Sequence, residues 1–292
     1  HEKMMTKLNL KKLKNSLHFL VTNLGPRRRL SIWMGHVSRI QSLRFTQCAI
    51  WLWNRFDRLE LEDAPKQTYI SIQECFTRPI RPETRPVDER SGVLISPCDG
   101  ILGAHGPVVD ARLFQIKGKT YELEELIGPI ESEHPWRNGY FVTIRIKSNM
   151  YHRFHAPCSG QIESAKHFPG DAWNVNPETL ERVDRLFVKN ERACLTYRMQ
   201  DGQTLALVPV AAILVAGIRV HALNGCDWMR KDLPTLLTPP APYTKAQEMG
   251  WFEHGSTILM IVPKNYRLRA DLQQGDRLKM GQGLLLEQDI CT

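Results

Sequence analysis

At 292 residues, with 42% hydrophobic and 24% charged side chains, the chain has the material for a buried core and falls outside the disordered class. Its net charge is +8, but the excess is local: residues 1–60 carry 12 Lys and Arg against three acids, while residues 61–292 carry 27 basic and 28 acidic side chains. A partner of dense negative charge is implied for the N-terminal segment, and none for the rest. The seven cysteines (Cys48, Cys75, Cys98, Cys158, Cys194, Cys226 and Cys291) are odd in number and form no Cys-x2-Cys pair. That pattern argues against a disulfide scaffold and for a reducing compartment.

In chain order, the basic stretch Lys7–Lys14 is followed by only a brief apolar patch, His18–Val21, so no secretory leader is expected. No stretch reaches the roughly 20 apolar residues of a spanning helix. Residues 28–60 predict helix: Trp33, Val37, Ile40 and Arg44 follow one stripe, and Ile50, Trp53, Phe56 and Leu59 continue at spacings of three to four. Arg39, Arg44, Arg55 and Arg58 lie across from the rings. Cations beside Trp and Phe suit a helix lying at a lipid interface, and the same pattern suits a helical hairpin packed on a core. Both readings can hold for one segment.

Residues 64–68 are a polar break, which divides the chain into a basic amphipathic segment (1–63) and a second unit (64–292). From Ser91 onward the pattern becomes β. Phe141–Lys147 alternates, with Val142, Ile144 and Ile146 on one face and Thr143, Arg145 and Lys147 on the other. Leu205–Val210, Ile213–Val220 and Thr257–Val262 are further predicted strands, and Pro209 and Gly217 fit buried strands better than a membrane helix. The expected fold class is α+β: N-terminal amphipathic helices followed by a β-rich, mostly antiparallel core.

Three places can carry chemistry. Tyr151-His152-Arg153-Phe154-His155 follows the predicted strand Phe141–Lys147, and its histidines could supply acid/base groups near neutral pH. With Cys158 they form His-x2-His-x2-Cys, but no fourth ligand follows at a telling spacing, and no metal is expected. Ser96-Pro97-Cys98-Asp99-Gly100 reads first as a turn, on which an Asp can still orient a histidine. Gly255-Ser256-Thr257 opens an apolar strand without the Gly-x-Ser-x-Gly elbow of a conventional hydrolase. A serine after glycine can instead attack the carbonyl before it, where glycine offers least obstruction.

Together these segments resemble the phosphatidylserine decarboxylase family. The likeness is an ordered series: Ser71 to Asp88, the Ser-Pro-x-Asp-Gly turn at Ser96–Gly100, Arg137-Asn138-Gly139 ahead of a strand, then Tyr151–His155. Pro169-Gly170-Asp171, Val175-Asn176-Pro177 and Asn190-Glu191-Arg192 come next, and Gln247–Phe252 precedes Gly255-Ser256-Thr257. The resemblance covers roughly residues 68–262. Two positions depart from the family pattern: His254 stands where Leu is usual, and Met150 where Asp is common. Neither removes a group the chemistry needs, though His254 puts a titratable ring beside the Gly255–Ser256 bond.

The resemblance implies a self-cleaving proenzyme. Asp99 would orient His155, His155 would take the proton of Ser256, and Ser256 would attack the Gly255 carbonyl. Cleavage at 255/256 would leave a β subunit (1–255) and an α subunit (256–292), with Ser256 converted to a pyruvoyl cofactor. That group would form an imine with phosphatidylserine and promote loss of CO2, with His152 returning the proton and phosphatidylethanolamine as product. The implied partners are phosphatidylserine, an anionic bilayer at the cytoplasmic face of the inner membrane and a second copy in a homodimer, with no nucleic acid. Two rival readings of the residues are a membrane-recruited serine hydrolase with a Ser256/His155/Asp99 triad and a non-enzymatic basic membrane-docking module. The docking module leaves the near-neutral residues after position 60 without a role.

Overall fold

The computed structural model describes residues 27–114, 120–171, 173–212, 217–224, 235–253 and 256–288. Residues 1–26, with the Lys7–Lys14 stretch, lie outside that set, as do His254, Gly255, Cys226, Cys291 and residues 213–216 of the expected strand Ile213–Val220.

The first elements are the helices α1 (Arg27–Ser38) and α2 (Leu43–Phe56). Ser42 breaks the pattern between them and caps α2, its hydroxyl accepting the Phe45 N–H at 3.4 Å. The apolar positions of α2 do not share one face. Ile50 and Trp53 pack inward against a small cluster of Leu59, Tyr69 and Cys75, whereas Phe56 is 85% exposed. The cause is the helix period, because each step of three residues falls about 60° short of a full turn. Leu59, expected to extend the stripe, lies beyond the helix end and is buried. Trp33, Ile40, Leu43, Phe45, Trp51 and Leu52 are also exposed, so the helical pair keeps an outward apolar surface. No described helix is long and apolar enough to cross a membrane.

The short helix α3 (Ile72–Phe76) follows, capped by Ser71, whose hydroxyl accepts the Glu74 N–H at 3.1 Å. Its Phe76 ring stands edge-on between Trp53 of α2 (5.3 Å) and His152 (5.4 Å).

The rest is the β structure that the alternation predicts. Strands β1 (Val93–Ile95), β2 (Gly100–Val109), β3 (Arg112–Phe114) and β4 (Thr120–Glu122) precede β5 (Tyr140–Ile146), β6 (Arg153–His155) and β7 (Gly160–Phe168). After them come β8 (Arg192–Met199), β9 (Thr204–Ala211), β10 (Ile218–Val220), β11 (Thr235–Tyr243), β12 (Glu248–Phe252), β13 (Ser256–Val262), β14 (Tyr266–Leu268), β15 (Arg277–Leu278) and β16 (Gly283–Glu287). The main antiparallel sheet runs β11-β7-β8-β9-β13-β5-β2-β3-β4, with β15 beside β2. Two three-stranded sheets, β1-β16-β14 and β10-β12-β6, pack with it.

Strand β13 lies in the middle of the main sheet, bonded to β5 on one side and β9 on the other. Both faces of this sheet are covered, so β13 is buried at every position. One face carries Ile258, Met260, Ile144 and Leu207, which pack with Phe154, Ile218, Met249 and Phe252 of the β10-β12-β6 sheet. The other carries Leu259, Ile261, Phe141 and Val208, which pack with Leu123, Leu126, Leu186 and Phe187. The last four residues belong to the short helices α4 (Leu123–Ile127) and α6 (Leu186–Lys189), between which lies α5 (Pro177–Arg182).

Candidate active site

Ser256 is the first residue of β13, paired with Ile146 of β5 and Ala211 of β9. Its side chain is in phase with Ile258 and so faces the β10-β12-β6 sheet. It is fully buried, and no described group lies within hydrogen-bond reach of its Oγ. An unpartnered hydroxyl in a closed interior costs about 1–3 kcal/mol, so folding leaves this oxygen unsatisfied at a measurable expense. Gly255, the other half of the expected cleavage site, lies outside the described residues.

The chain reaches β13 through β12. There the Phe252 N–H donates to the His152 carbonyl at 2.9 Å, which fixes His152 close to the start of β13. The His152 side chain is fully buried, with its ring against Phe76. Gly250 of β12 allows the tight fit of this small sheet. A Cβ there would stand 1.9 Å from the Arg219 carbonyl and 2.8 Å from the Phe154 ring, forcing β10 and β6 apart.

His155 ends β6 with both ring nitrogens engaged. Nδ1 lies 2.8 Å from the Ala246 carbonyl, which can only accept, so Nδ1 carries the proton. Nε2 is therefore the acceptor, and the Tyr151 hydroxyl donates to it at 2.8 Å. Ala246 points its carbonyl at the ring from a left-handed backbone conformation (φ 64°), which costs about 1 kcal/mol and is held by the Ala246 N–H bond to Ala156. Burial lowers the His155 pKa below its ordinary 6.5, although the Ala246 bond and the charges of Glu248 and Asp99 oppose the shift. Burial likewise pushes the Tyr151 hydroxyl up, so it remains a proton donor at neutral pH.

The His155 shift has a consequence for stability. With a depressed folded-state pKa, the unfolded chain binds this proton more readily, so stability is lost as pH falls through 6.5 toward the lowered value. Urea midpoints of the wild type should drop more across that span than those of His155→Gln. Equal drops would remove His155 as the cause.

Asp99 is buried in the turn before β2, but its partners differ from the expectation that it orients His155. Both carboxylate oxygens are taken by Arg85, through Nε at 2.9 Å and through Nη2, and Oδ1 also accepts the Met280 N–H at 2.8 Å. Arg85 reaches on to Asp63 at 2.6 Å. The forked guanidinium matches a carboxylate edge better than an imidazole does, and it takes the position. Burial alone would lower the Arg85 pKa, and the bonds to Asp99 and Asp63 more than reverse that. Orientation of His155 falls instead to Ala246 and Tyr151. Asp99 bears on the ring through its charge, and through a turn whose Pro97 carbonyl accepts the His155 N–H at 2.8 Å.

Three further residues at the site escaped sequence reasoning. Arg78 is 1% exposed and binds the carbonyls of Cys75, Glu60, Asn149 and Met150, tying the helical segment to the turn before Tyr151. Arg85 is the second. Both precede proline, as does Arg81, and that repeated Arg-Pro pairing was the available signal, since proline holds the residue before it extended. Glu253, the third, is buried three residues before Ser256 and gathers Arg39, just past the end of α1 (2.9 Å), Gln73 of α3 (3.2 Å) and Arg219 of β10 (3.6 Å). Among the described residues, no group of three or more His, Cys, Asp or Glu side chains converges as metal ligands would.

A buried serine heads the central strand and faces a small sheet whose β6 ends in His155 and is preceded by the buried His152, an arrangement that marks an enzyme site on an antiparallel β fold. The family model for phosphatidylserine decarboxylase matches residues 72–286, and the chain belongs to that family. A protein of Brevibacillus brevis named phosphatidylserine decarboxylase proenzyme is 31% identical over 273 residues, covering 91% of this chain and 94% of the relative. Proteins of the same name from Nitrosococcus oceani and Escherichia coli are 32% and 31% identical. Those two matches cover 94% and 84% of this chain, and 92% and 79% of the respective relatives.

Proposed function

We propose that this chain is a phosphatidylserine decarboxylase proenzyme that cleaves itself between Gly255 and Ser256. The observation that carries the reading is the Ser256 hydroxyl, buried and without a hydrogen-bond partner among the described residues at the head of β13. A conventional triad serine would be bonded to its base, and Ser256 is not bonded to His155.

In this reading Ser256 Oγ attacks the Gly255 carbonyl carbon, the peptide C–N bond gives way to an ester, and elimination separates residues 1–255 from 256–292. His155 is neutral and accepts the serine proton at Nε2. The Tyr151 hydroxyl must first yield that lone pair, so the structure represents a resting arrangement. Asp99 favours the protonated ring that results.

The residues present fit a pyruvoyl group derived from Ser256, since its Oγ is buried without a partner among the described residues and its side chain faces the small sheet that carries His155. Such a group supplies an electron sink for the pair released with CO2. In this reading His152 delivers a proton to the carbon that loses CO2.

The substrate is a lipid, which gives the helical pair its purpose. Exposed Trp33, Trp51 and Phe56 would enter the headgroup boundary while the basic residues of the segment meet anionic lipid. The Trp53–Phe76–His152 ring contacts link this membrane-facing element to the site. We place the protein at the cytoplasmic face of the inner membrane, as a homodimer of the cleaved unit, with residues 1–63 as its membrane-associating part.

One assay on vesicles containing phosphatidylserine tests these roles. His152→Ala should cleave as the wild type does yet release CO2 at least 100-fold more slowly, in the range a positioned acid contributes. A variant that fails to cleave would move His152 into maturation. Sedimentation with the same vesicles should fall as salt rises, and salt-independent binding would contradict the electrostatic part.

A further inference from the structure

A cavity of about 250 Å³ lies on the face of the main sheet opposite Ser256. Residues paired across an antiparallel ladder share a face, and successive residues alternate. Thr257 therefore points away from the active site, together with its ladder partners Arg145 of β5 and Val210 of β9. Arg145 and Thr257 both line the cavity, and Ile101, Ala104, Leu180 and Phe187 contribute apolar wall.

Two of its polar groups lack partners. Arg145 forms no hydrogen bond or ion pair with a described residue, and burial lowers its pKa. Thr257 is 1% exposed, and its Oγ1 has no partner. The other hydroxyl of the wall, that of Thr143, donates to the Ala104 carbonyl at 2.8 Å and is spent. The one carboxylate of the lining, Glu181, stands exposed at the rim. A desolvated guanidinium and a hydroxyl aimed into a mainly apolar chamber complement an anion with a hydrocarbon body. A single cation matches a single negative charge, and Glu181 at the rim disfavours a second, which selects a carboxylate over a phosphate dianion. The volume falls below the range for drug-sized ligands, so the body is short.

We infer that the face of the main sheet behind Ser256 carries a binding site for a short-chain monocarboxylate, with its charge on Arg145 and Thr257 and its tail between Leu180 and Phe187. The site shares β13 with Ser256 but lies outside the active site described above, and binding there does not depend on chain cleavage.

Calorimetric titration of the full chain with hexanoate tests it, with hexan-1-ol and hexylamine as uncharged and cationic controls. Hexanoate should bind saturably with one site per chain, and neither control should. Arg145→Met should weaken hexanoate at least tenfold. Arg145→Lys, which keeps the charge but loses the fork, should weaken it several-fold and decides the matter if the Met variant does not fold. Absence of hexanoate binding, an equal response to hexan-1-ol, or unchanged affinity in the folded arginine variants would overturn the inference.

Discussion

Ser256→Ala should remain one unbroken chain with no decarboxylase activity, whatever the incubation time. The loss is complete because the substitution removes the nucleophile of cleavage, and without a Cβ–Oγ bond to break no elimination can generate the cofactor. Stability should rise, by up to the roughly 1–3 kcal/mol that the unpartnered hydroxyl costs. The deleted hydroxyl is buried and has no partner among the described residues, so no bond is lost with it and a desolvated polar group disappears. Intact-mass measurement separates the outcomes, since the wild type should give fragments meeting at 255/256 and the variant a single mass. A variant split at the same bond would sink the assignment of Ser256 and leave the cleavage chemistry to another group.

The second large effect concerns Arg85. Its guanidinium and the Asp99 carboxylate are 3% and 2% exposed, so each depends on the other for compensation. Arg85→Ala would leave Asp99 with only the Met280 N–H and sever the link to Asp63. Removing one member of a buried ion pair costs about 3–5 kcal/mol, a large part of the stability of an ordinary domain. Urea denaturation should show a loss of that size, and Arg85→Lys a smaller one because the charge remains while the fork is lost. A loss under about 1 kcal/mol for Arg85→Ala would mean that the pair is solvated in solution. Asp99 would then be free to take the direct bond to His155 that the sequence suggested.

The legible parts of this protein were those written in periodicity or in side-chain letters. Phe141–Lys147 alternates and forms β5, shifted by one residue. Thr257–Val262 forms β13, and the Ser96–Gly100 turn leads into β2. The same letters pointed to Ser256, which opens β13, and to His155, which ends β6 of the adjoining sheet just after His152. Partner choice was not legible. Arg85 and Asp99 are 14 residues apart with no repeat to connect them, and a buried carboxylate goes to whichever donor fits best. The Ala246 carbonyl that fixes the tautomer of His155 is a backbone group, which residue type does not disclose. The α2 stripe failed for a geometric reason, since a spacing of three drifts around the helix and carried Phe56 to the outside.

The place of β13 sets the order in which the proposed steps must occur. Residues 256–262 pair with β5 on one side and residues 256–261 with β9 on the other, and both neighbours belong to the longer product of a cut at 255/256. Released before the sheet formed, the short product would be a loose peptide, and the long one would expose two raw edges at its centre, a template for aggregation. Scission at 255/256 would thus be a late event on a finished scaffold. Afterward the two pieces would be a single folding unit with a nick, held by a ladder on each flank, and neither would be a subunit in the sense of something that can leave and return.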